Sequence, residues 1–204
     1  MVGVADNIMI GHVGKIPLAA ASLANSLFII VLVFGIGSSF AISPMTAQAQ
    51  GENDYPKISA ILKHAIVVNA SLGLLLGSIA VAVSYLVPYM NQPEDVVELA
   101  MPYLRVIGMS IIPLMIFQAF RQFSEGLSIT VPPMLIIVGT NLLNILFNYI
   151  LIYGKFGFPA MGLFGAGLAT LLARVAMVLV IVLYTLKSRQ FKHYLVHFKQ
   201  VVYS

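Results

Sequence analysis

Three asparagines share one face of a strongly apolar stretch. Asn141, Asn144 and Asn148 stand at positions i, i+3 and i+7 of NLLNILFNYILIYG, so a helix places all three side chains in one stripe. The other faces of that helix carry leucine and isoleucine. Amides within an apolar span are costly unless they have partners, and in membrane proteins they mark substrate or ion pathways. The stripe therefore predicts a polar helix face that meets protein or a wet cavity, and it favours a transporter.

Two more polar residues, Asp6 and Thr170, are predicted to lie at the same membrane depth. Asp6 stands in a short apolar segment that ends near Gly11, and Thr170 follows the start of the last apolar segment. At a rise of about 1.5 Å per residue, these two side chains, Asn144 and Asn148 lie roughly 8 to 15 Å below the ends of their helices. If the three helices are neighbours, a carboxylate, two amides and a hydroxyl form a site for a proton or a small cation.

Asp6 supplies the sharpest chemistry of this predicted site. A carboxylate in poorly hydrated surroundings takes up or releases a proton as those surroundings dry or wet. Hydrogen bonds from Asn144, Asn148 or Tyr149 would stabilise one of the two protonation states. Asn141 continues the same stripe and, like Tyr149, is an accessory candidate. Two plainer interpretations stay open: Asp6 caps a helix end, and the asparagines only join neighbouring helices.

The elements that must position these residues are membrane-spanning helices. The 204-residue chain is 60% hydrophobic and 9% charged, and its mean hydropathy is +0.97. Pro44 and Pro113 lie late in one apolar span and within another, where each can kink its helix. We predict an all-α polytopic membrane bundle with a lobe at 1–186 and a basic tail at 187–204. The end of a first helix and five full spans are predicted at approximately residues 1–10, 17–45, 58–87, 99–122, 133–153 and 161–186.

The positions of lysine and arginine predict the orientation of the bundle. More basic residues lie near one side than near the other, and the positive-inside rule places the more basic side and the tail in the cytoplasm. The charges are split between the ends of separate spans, so the net charge of +4 gives no case for nucleic-acid binding. The basic residues near the predicted cytoplasmic side are Lys57, Lys63, Arg121, Lys187, Arg189, Lys192 and Lys199, against Lys15 and Lys155 near the other.

Arg174 interrupts the last span near its middle. A cation at that depth needs a partner or water, so we expect the side chain to face the bundle interior, as an accessory to the site. Spacing leaves three alternatives open: Arg174 pairs with Asp6, lines a cleft, or contacts a further part of the protein.

The residues give no support for catalysis or metal binding. The sequence shows no nucleophile paired with a base, no metal-ligand cluster and no phosphate loop. Cysteine is absent, which excludes disulfides and thiolate metal sites. His193 and His197 in HYLVH have the spacing of a metal-binding helix but lack the glutamate of a hydrolytic zinc site. We therefore predict neither an enzyme, nor a cofactor, nor a metal site.

Four blocks of sequence occur in an order and spacing that are specific in combination. They are VADNIMIGHVG from Val4, SPMTAQAQG from Ser43, YLRVIGMSIIPLMIFQAFRQFSEG from Tyr103, and NLLNILFNYILIYGKFGFPAMGLFGAGLAT from Asn141. Together they resemble the bacterial branch of the multidrug and toxic compound extrusion family of cation-coupled antiporters, along nearly the whole chain.

The resemblance implies twelve helices in two pseudosymmetric lobes, with a central cleft for small organic cations such as drugs. It also implies export across the bacterial plasma membrane, driven by H⁺ or Na⁺. Asp6 matches the acidic residue of the family's first helix, and Asn144 and Asn148 match the polar pair of its fifth helix. Thr170 is matched by its position in GLFGAGLAT. Some relatives carry a carboxylate at the place of Asn148, so this chain has a single acid in the cluster, which weakens the case for Na⁺.

Compared with the family pattern, the chain covers most of one lobe. It lacks most of the first helix and stops where the linker to a second lobe would begin, so we expect a chain truncated at both ends. A central cleft needs two walls, so the expected partners are a second lobe or a second copy of the chain, within the lipid bilayer.

Two alternative functions stay open beside the antiporter. One is a lipid-linked oligosaccharide flippase of the same superfamily. Its pyrophosphate substrate calls for several buried cations, whereas the only cations that we expect to be buried are Arg174 and Arg105. The other is a membrane fragment that does not transport, which the missing helix start and the missing second lobe favour.

Overall fold

Apolar helices long enough to cross a membrane make up most of the structure. The computed structural model describes residues 2–188, 190, 191 and 194. Within these residues the chain forms eight α-helices, and a short 3₁₀ helix at Val87–Met90. The α-helices are α1 (Val2–Gly11), α2 (Lys15–Ser39), α3 (Ile42–Gly51), α4 (Tyr55–Ser84), α5 (Glu94–Met109), α6 (Ile111–Gly126), α7 (Val131–Tyr153) and α8 (Gly162–Lys187).

Five segments of the described chain have the length and composition of membrane spans. Helices α2 and α3 together form one span, α5 and α6 another, and α4, α7 and α8 one each. The short α1 precedes them, so the predicted fold class, an all-α membrane bundle with five full spans, is confirmed. Two spans are longer than predicted at both ends, namely Lys15–Gly51 and Glu94–Gly126. In both, the helix continues past the apolar residues into polar ones.

The two spans that consist of two helices are each interrupted just ahead of a proline. Helix α2 gives way to α3 ahead of Pro44, and α5 gives way to α6 ahead of Pro113. Proline has no N–H, and its ring clashes with the carbonyl four residues earlier in a helix. Those carbonyls belong to Phe40 and Met109, which lie at the two breaks. Each of the two prolines is therefore accompanied by a break in its span, on the N-terminal side of the proline.

One end of the bundle, which we call the basic end, gathers the α3–α4 turn and the C-terminal ends of α6 and α8. Lys57 forms an ion pair with Glu52 at 2.7 Å, and this hydrogen bond holds the pKa of the exposed Glu52 carboxyl below its usual value. Beyond α8, the ring of Phe191 lies 6.2 Å from that of Phe123 in α6. Residues 189, 192, 193 and 195–204, which include most of the predicted basic tail and both histidines of HYLVH, lie outside the described residues.

Two glycines allow neighbouring helices to approach closely. A Cβ atom on Gly126 would lie 2.6 Å from the carbonyl oxygen of Ser43, so the end of α6 packs directly against the backbone of α3. A Cβ atom on Gly165 would lie 2.6 Å from the carbonyl oxygen of Leu151, between α8 and α7. Helices α7 and α8 carry most of the predicted site residues, so their contact sets the relative positions of those residues.

Candidate functional site

Helices α1, α7 and α8 are neighbours at the end of the bundle opposite the basic end. The Tyr153 hydroxyl of α7 donates to the carbonyl of Met9 in α1 at 3.0 Å. The backbone N–H of Met161, just before α8, donates to the carbonyl of Leu151 in α7 at 2.9 Å. The sequence argument had to assume that these three helices adjoin, and the structure places them together.

A chain of hydrogen bonds joins four of the predicted site residues. Asn148 Nδ2 donates to Asp6 Oδ1 at 2.5 Å and to Asn144 Oδ1 at 3.2 Å. Asn144 Nδ2 donates to Thr170 Oγ1 at 3.4 Å, and that hydroxyl donates to the carbonyl of Ala166 at 3.1 Å. The exposed fraction of these four side chains runs from 0% to 8%. We call Asp6, Asn144, Asn148 and Thr170 the Asp6 cluster.

The Asp6 cluster contains one buried acid and one buried acceptor without a partner. Asp6 is the only acidic residue that is buried in the described part of the chain. Asn148 Oδ1 has no hydrogen-bond partner among the described residues, although buried polar atoms are nearly always paired. A proton on the carboxyl group or a small cation beside it would supply such a partner. The arrangement is therefore chemically suited to holding one positive charge.

The accessory candidates lie in different places. Tyr149 is 46% exposed, and its ring packs against that of Tyr153 at 5.9 Å, so the structure does not bring its hydroxyl to Asp6. The physical reason is that Tyr149 directly follows Asn148, and one residue turns a helix by about 100°. Asn141 stays on the polar face but lines a cavity beyond the cluster.

This cavity has a volume of about 220 Å³ and lies between α2, α6, α7 and α8. Asn144 and Thr170 of the Asp6 cluster form part of its wall, and the wall reaches Arg121 near the basic end. Arg121 pairs with Glu125 in α6 at 2.7 Å, which is the ion pair that their spacing favours. The cavity thus extends from the Asp6 cluster toward the basic end.

Arg174 also lines the cavity and binds a residue that sequence reasoning missed. Its Nη1 atom donates to Ser110 Oγ at 2.6 Å, and its guanidinium carbon lies 5.4 Å from the ring centre of Phe28. Ser110 occupies the break between α5 and α6. Its place three residues before Pro113 is the sequence feature that could have indicated it. Among the described residues no carboxylate lies within ion-pair distance of Arg174, so a direct pair with Asp6 is excluded.

Comparison with known proteins identifies relatives over nearly the whole chain. The MatE family model matches residues 1–150. The multidrug resistance protein NorM of Photobacterium profundum is 33% identical over 190 residues, which cover 93% of this chain and 42% of that protein. NorM of Vibrio cholerae is 30% identical over 191 residues, which cover 94% and 42%. The chain spans less than half the length of these curated relatives.

Solved structures show the same likeness. A crystal structure of MATE in the bent conformation matches with a TM-score of 0.84 and 26% identity, over 94% of this chain and 42% of that one. An inward-facing multidrug resistance MATE family transporter of the MOP superfamily matches with a TM-score of 0.80 and 25% identity, over 98% and 48%. With the family model, these matches confirm the resemblance seen in the sequence: the chain belongs to the MatE family of multidrug efflux transporters, which are membrane proteins and not enzymes.

Proposed function

We propose that this chain forms the N-terminal lobe of a cation-coupled antiporter that exports cationic drugs or other toxic organic compounds across the bacterial plasma membrane. The basic end faces the cytoplasm, and the Asp6 cluster binds the coupling ion. One observation carries the proposal: Asp6, the one buried acid of the described residues, accepts a hydrogen bond from Asn148 beside an amide oxygen that has no partner in that part of the chain. Intramembrane acids of this kind are the usual elements of proton relays.

A proton is the coupling ion that the Asp6 cluster favours. One carboxylate with neutral amide and hydroxyl neighbours accommodates one proton, whereas hard metal cations are held by several oxygen ligands. Na⁺ is the second candidate, because the Asp6 cluster also contains three neutral oxygen atoms, Asn148 Oδ1, Asn144 Oδ1 and Thr170 Oγ1. The two ions are distinguished by the gradient that drives export.

Protonation of Asp6 changes the bond that joins α1 to α7. The ionised carboxylate only accepts hydrogen bonds, and it takes one from Asn148 Nδ2. The protonated group has an O–H to donate, and Asn148 Oδ1 is an acceptor without a partner in the described structure. The two protonation states thus form different hydrogen bonds between α1 and α7. If the drug and the proton each bind one of two such conformations more tightly, the binding of one changes the binding of the other.

The direct test replaces Asp6 in membrane vesicles that hold the native protein with all its lobes. We expect Asp6→Asn to abolish export of a cationic dye driven by a pH gradient. The control Glu98→Gln, which changes an exposed carboxylate in α5, should leave export unchanged. A parallel series with an imposed Na⁺ gradient identifies the ion. Unchanged export by Asp6→Asn under both gradients would remove Asp6 from the mechanism.

A second test concerns the wall that completes the cleft. An antibody against the tail, Lys187 to Ser204, should detect a species in the native membrane whose mass is about twice the 22.1 kDa of this chain. That mass in a denaturing gel indicates a second lobe on the same polypeptide, and that mass only after cross-linking indicates a second copy. A band at 22.1 kDa in both gels would instead support the fragment that does not transport.

The flippase alternative gains nothing from the structure. Of the two arginines considered for a pyrophosphate, only Arg174 lines the cavity. Arg105 donates to Ser84 Oγ at 3.1 Å and lies over the ring of Tyr85, outside the cavity wall. Arg121 also lines the cavity, but it is paired with Glu125 at 2.7 Å. Arg174 is then the one cation of the cavity wall that has no ion pair among the described residues, which is too few to balance a pyrophosphate.

A further inference from the structure

A second concave site lies on the surface of the bundle, between the interrupted α2–α3 span and α4. We call it the α3–α4 groove, and Met45 of α3 with Ile61 and Val68 of α4 supplies apolar surface to its wall. Its volume is about 450 Å³, whereas a cavity of roughly 150 Å³ holds benzene. Met45 and Val68 are 55% and 59% exposed, so the described part of the chain leaves the groove open. The groove therefore has room for a long apolar chain.

The α3–α4 groove and the cavity beside the Asp6 cluster lie on different sides of α2. Ile36 lines the cavity and Ser38 lines the groove, and two residues turn an α-helix by about 200°. The wall that completes the proposed cleft would cover the cavity side, where Asn141 and Arg174 also lie. The groove then faces the lipid bilayer, so a lipid is the occupant that its place in the bundle favours.

The length of the α3–α4 groove matches one leaflet of a membrane. On α4 the groove begins at Lys57, in the first turn of the span Tyr55–Ser84, and reaches Asn69. At about 1.5 Å per residue, Asn69 lies roughly 18 Å beyond Lys57 along the helix. The hydrocarbon core of a bilayer is about 30 Å thick, and the headgroups add several ångströms on each side. The groove thus extends from the headgroup level at the basic end to near the middle of the bilayer.

At the headgroup level, the α3–α4 groove presents charges of both signs. Lys57 lines the groove and pairs with Glu52 at 2.7 Å, and the two side chains are 45% and 44% exposed. Gln48, also in the wall, donates to Glu52 Oε1 at 3.0 Å. A second carboxylate, that of Asp54, accepts a hydrogen bond from the backbone N–H of Lys57 at 3.0 Å. Lysine can bind a phosphate while a carboxylate accepts hydrogen bonds from an ammonium group. These charges are therefore complementary to a zwitterionic headgroup, whereas a purely anionic one would meet two carboxylates.

We propose that the α3–α4 groove binds a phospholipid whose zwitterionic headgroup carries a primary ammonium, as phosphatidylethanolamine does. Lys57 binds the phosphate, and Glu52 accepts hydrogen bonds from the ammonium. One acyl chain lies along Met45, Ile61 and Val68. From the proposed function the inference takes only the orientation of the bundle, which makes this a lipid of the cytoplasmic leaflet. A choline headgroup has the same charges but no N–H to donate, so Glu52 is the residue that distinguishes the two lipids.

Photo-crosslinking in vesicles tests the proposal. Phosphatidylethanolamine and phosphatidylcholine with the same diazirine-bearing acyl chain are each added at the same low fraction to phosphatidylcholine vesicles that hold the native protein with all its lobes. Mass spectrometry of peptides compares labelling of the groove, at Met45 and Val68, with labelling at Leu179 and Leu183, which are exposed on α8. We expect the ethanolamine lipid to label the groove at least about threefold more strongly than the choline lipid, as an exposed ion pair implies. The two lipids should label α8 equally.

The substitution Glu52→Gln should lower labelling of the groove by the ethanolamine lipid to the level of the choline lipid. The control Glu94→Gln, which changes an exposed carboxylate at the other end of the bundle, should keep the preference. Equal labelling of the groove by both lipids in the unchanged protein would overturn the proposal, as would a preference that survives Glu52→Gln. A groove that neither lipid labels, beside a labelled α8, would show that protein covers it and would also overturn the proposal. Because labelling needs no gradient, this result is independent of the Asp6→Asn transport test.

Discussion

Asn148 is the residue on which the geometry of the Asp6 cluster depends most. Its amide N–H binds the buried carboxylate of Asp6 and the amide oxygen of Asn144, so one side chain joins α1 to the polar face of α7. Asn141, seven residues earlier on the same face, makes no hydrogen bond in the described structure. The two asparagines are therefore a matched pair with opposite expected importance.

Replacement of Asn148 by leucine should lower stability. Asn148→Leu keeps a similar volume but removes the donor to Asp6 and leaves the buried carboxylate short of a partner, at a cost of about 1–3 kcal/mol. Thermal unfolding in lipid nanodiscs measures the loss. Asn141→Leu should change the melting temperature little. In an Asp6→Asn background the effect of Asn148→Leu should shrink, because the two changes share one interaction. Equal losses for Asn148→Leu and Asn141→Leu would contradict the assignment.

The sequence predicted a common depth for the residues of the Asp6 cluster, but it could not show that their helices are neighbours. Helical rise fixes depth and helical periodicity fixes the face, which together placed Asp6, Asn148 and Thr170 at one level. Neither quantity gives the rotation of one helix against its neighbour. The partner of Arg174 is Ser110, 64 positions away on another helix, and only tertiary packing shows this.

Among the helices, α3 and α6 make a contact that leaves no room for a larger residue at Gly126. A Cβ atom at Gly126 would lie 2.6 Å from the Ser43 carbonyl oxygen and 2.7 Å from Thr46 Cβ. Backbone cannot move aside as the end of a flexible side chain can. In contrast, a Cβ atom at Gly37 in α2 would meet nothing within 4 Å.

The substitution Gly126→Ala should destabilise the bundle by about 1–3 kcal/mol, since it forces α3 and α6 apart. The matched substitution Gly37→Ala should be neutral or stabilising by up to about 1 kcal/mol, because alanine is the better helix former. Urea or thermal unfolding of the two variants in the same lipid gives the comparison. A melting temperature for Gly126→Ala at or above that of the unchanged protein would show that the α3–α6 contact is looser than the structure indicates.

Apolar length predicted the number of spans, but the breaks within them depended on local chemistry. Pro44 and Pro113 indicated kinks, and the structure interrupts both spans three to four residues earlier, where the proline ring meets the preceding turn. The extension of the α5–α6 span back to Glu94 was not predicted, because Glu94 and Asp95 read as loop residues. Acidic residues are favourable in the first turn of a helix, where they oppose the helix dipole.

For the molecule as a whole, orientation decides which compartment supplies the proton. The Asp6 cluster lies near the Lys155 end of the bundle, where Tyr153 binds Met9, and not near the basic end. With the basic end in the cytoplasm, the cluster belongs to the outer half of the membrane. Protons would then reach Asp6 from outside, which is the direction an export antiporter requires. A reversed bundle would load Asp6 from the cytoplasm and favour uptake.

Single cysteines test this orientation cleanly because the chain contains none of its own. Gln92→Cys places a thiol in the exposed turn before α5, and Glu52→Cys places one in the exposed turn at the basic end. We expect a membrane-impermeant maleimide to label Gln92→Cys in intact cells, and to label Glu52→Cys only after the membrane is permeabilised. Transport of the dye by both variants would show that neither change disturbs the fold. The opposite labelling pattern would place the Asp6 cluster in the inner half of the membrane and would refute proton loading from outside.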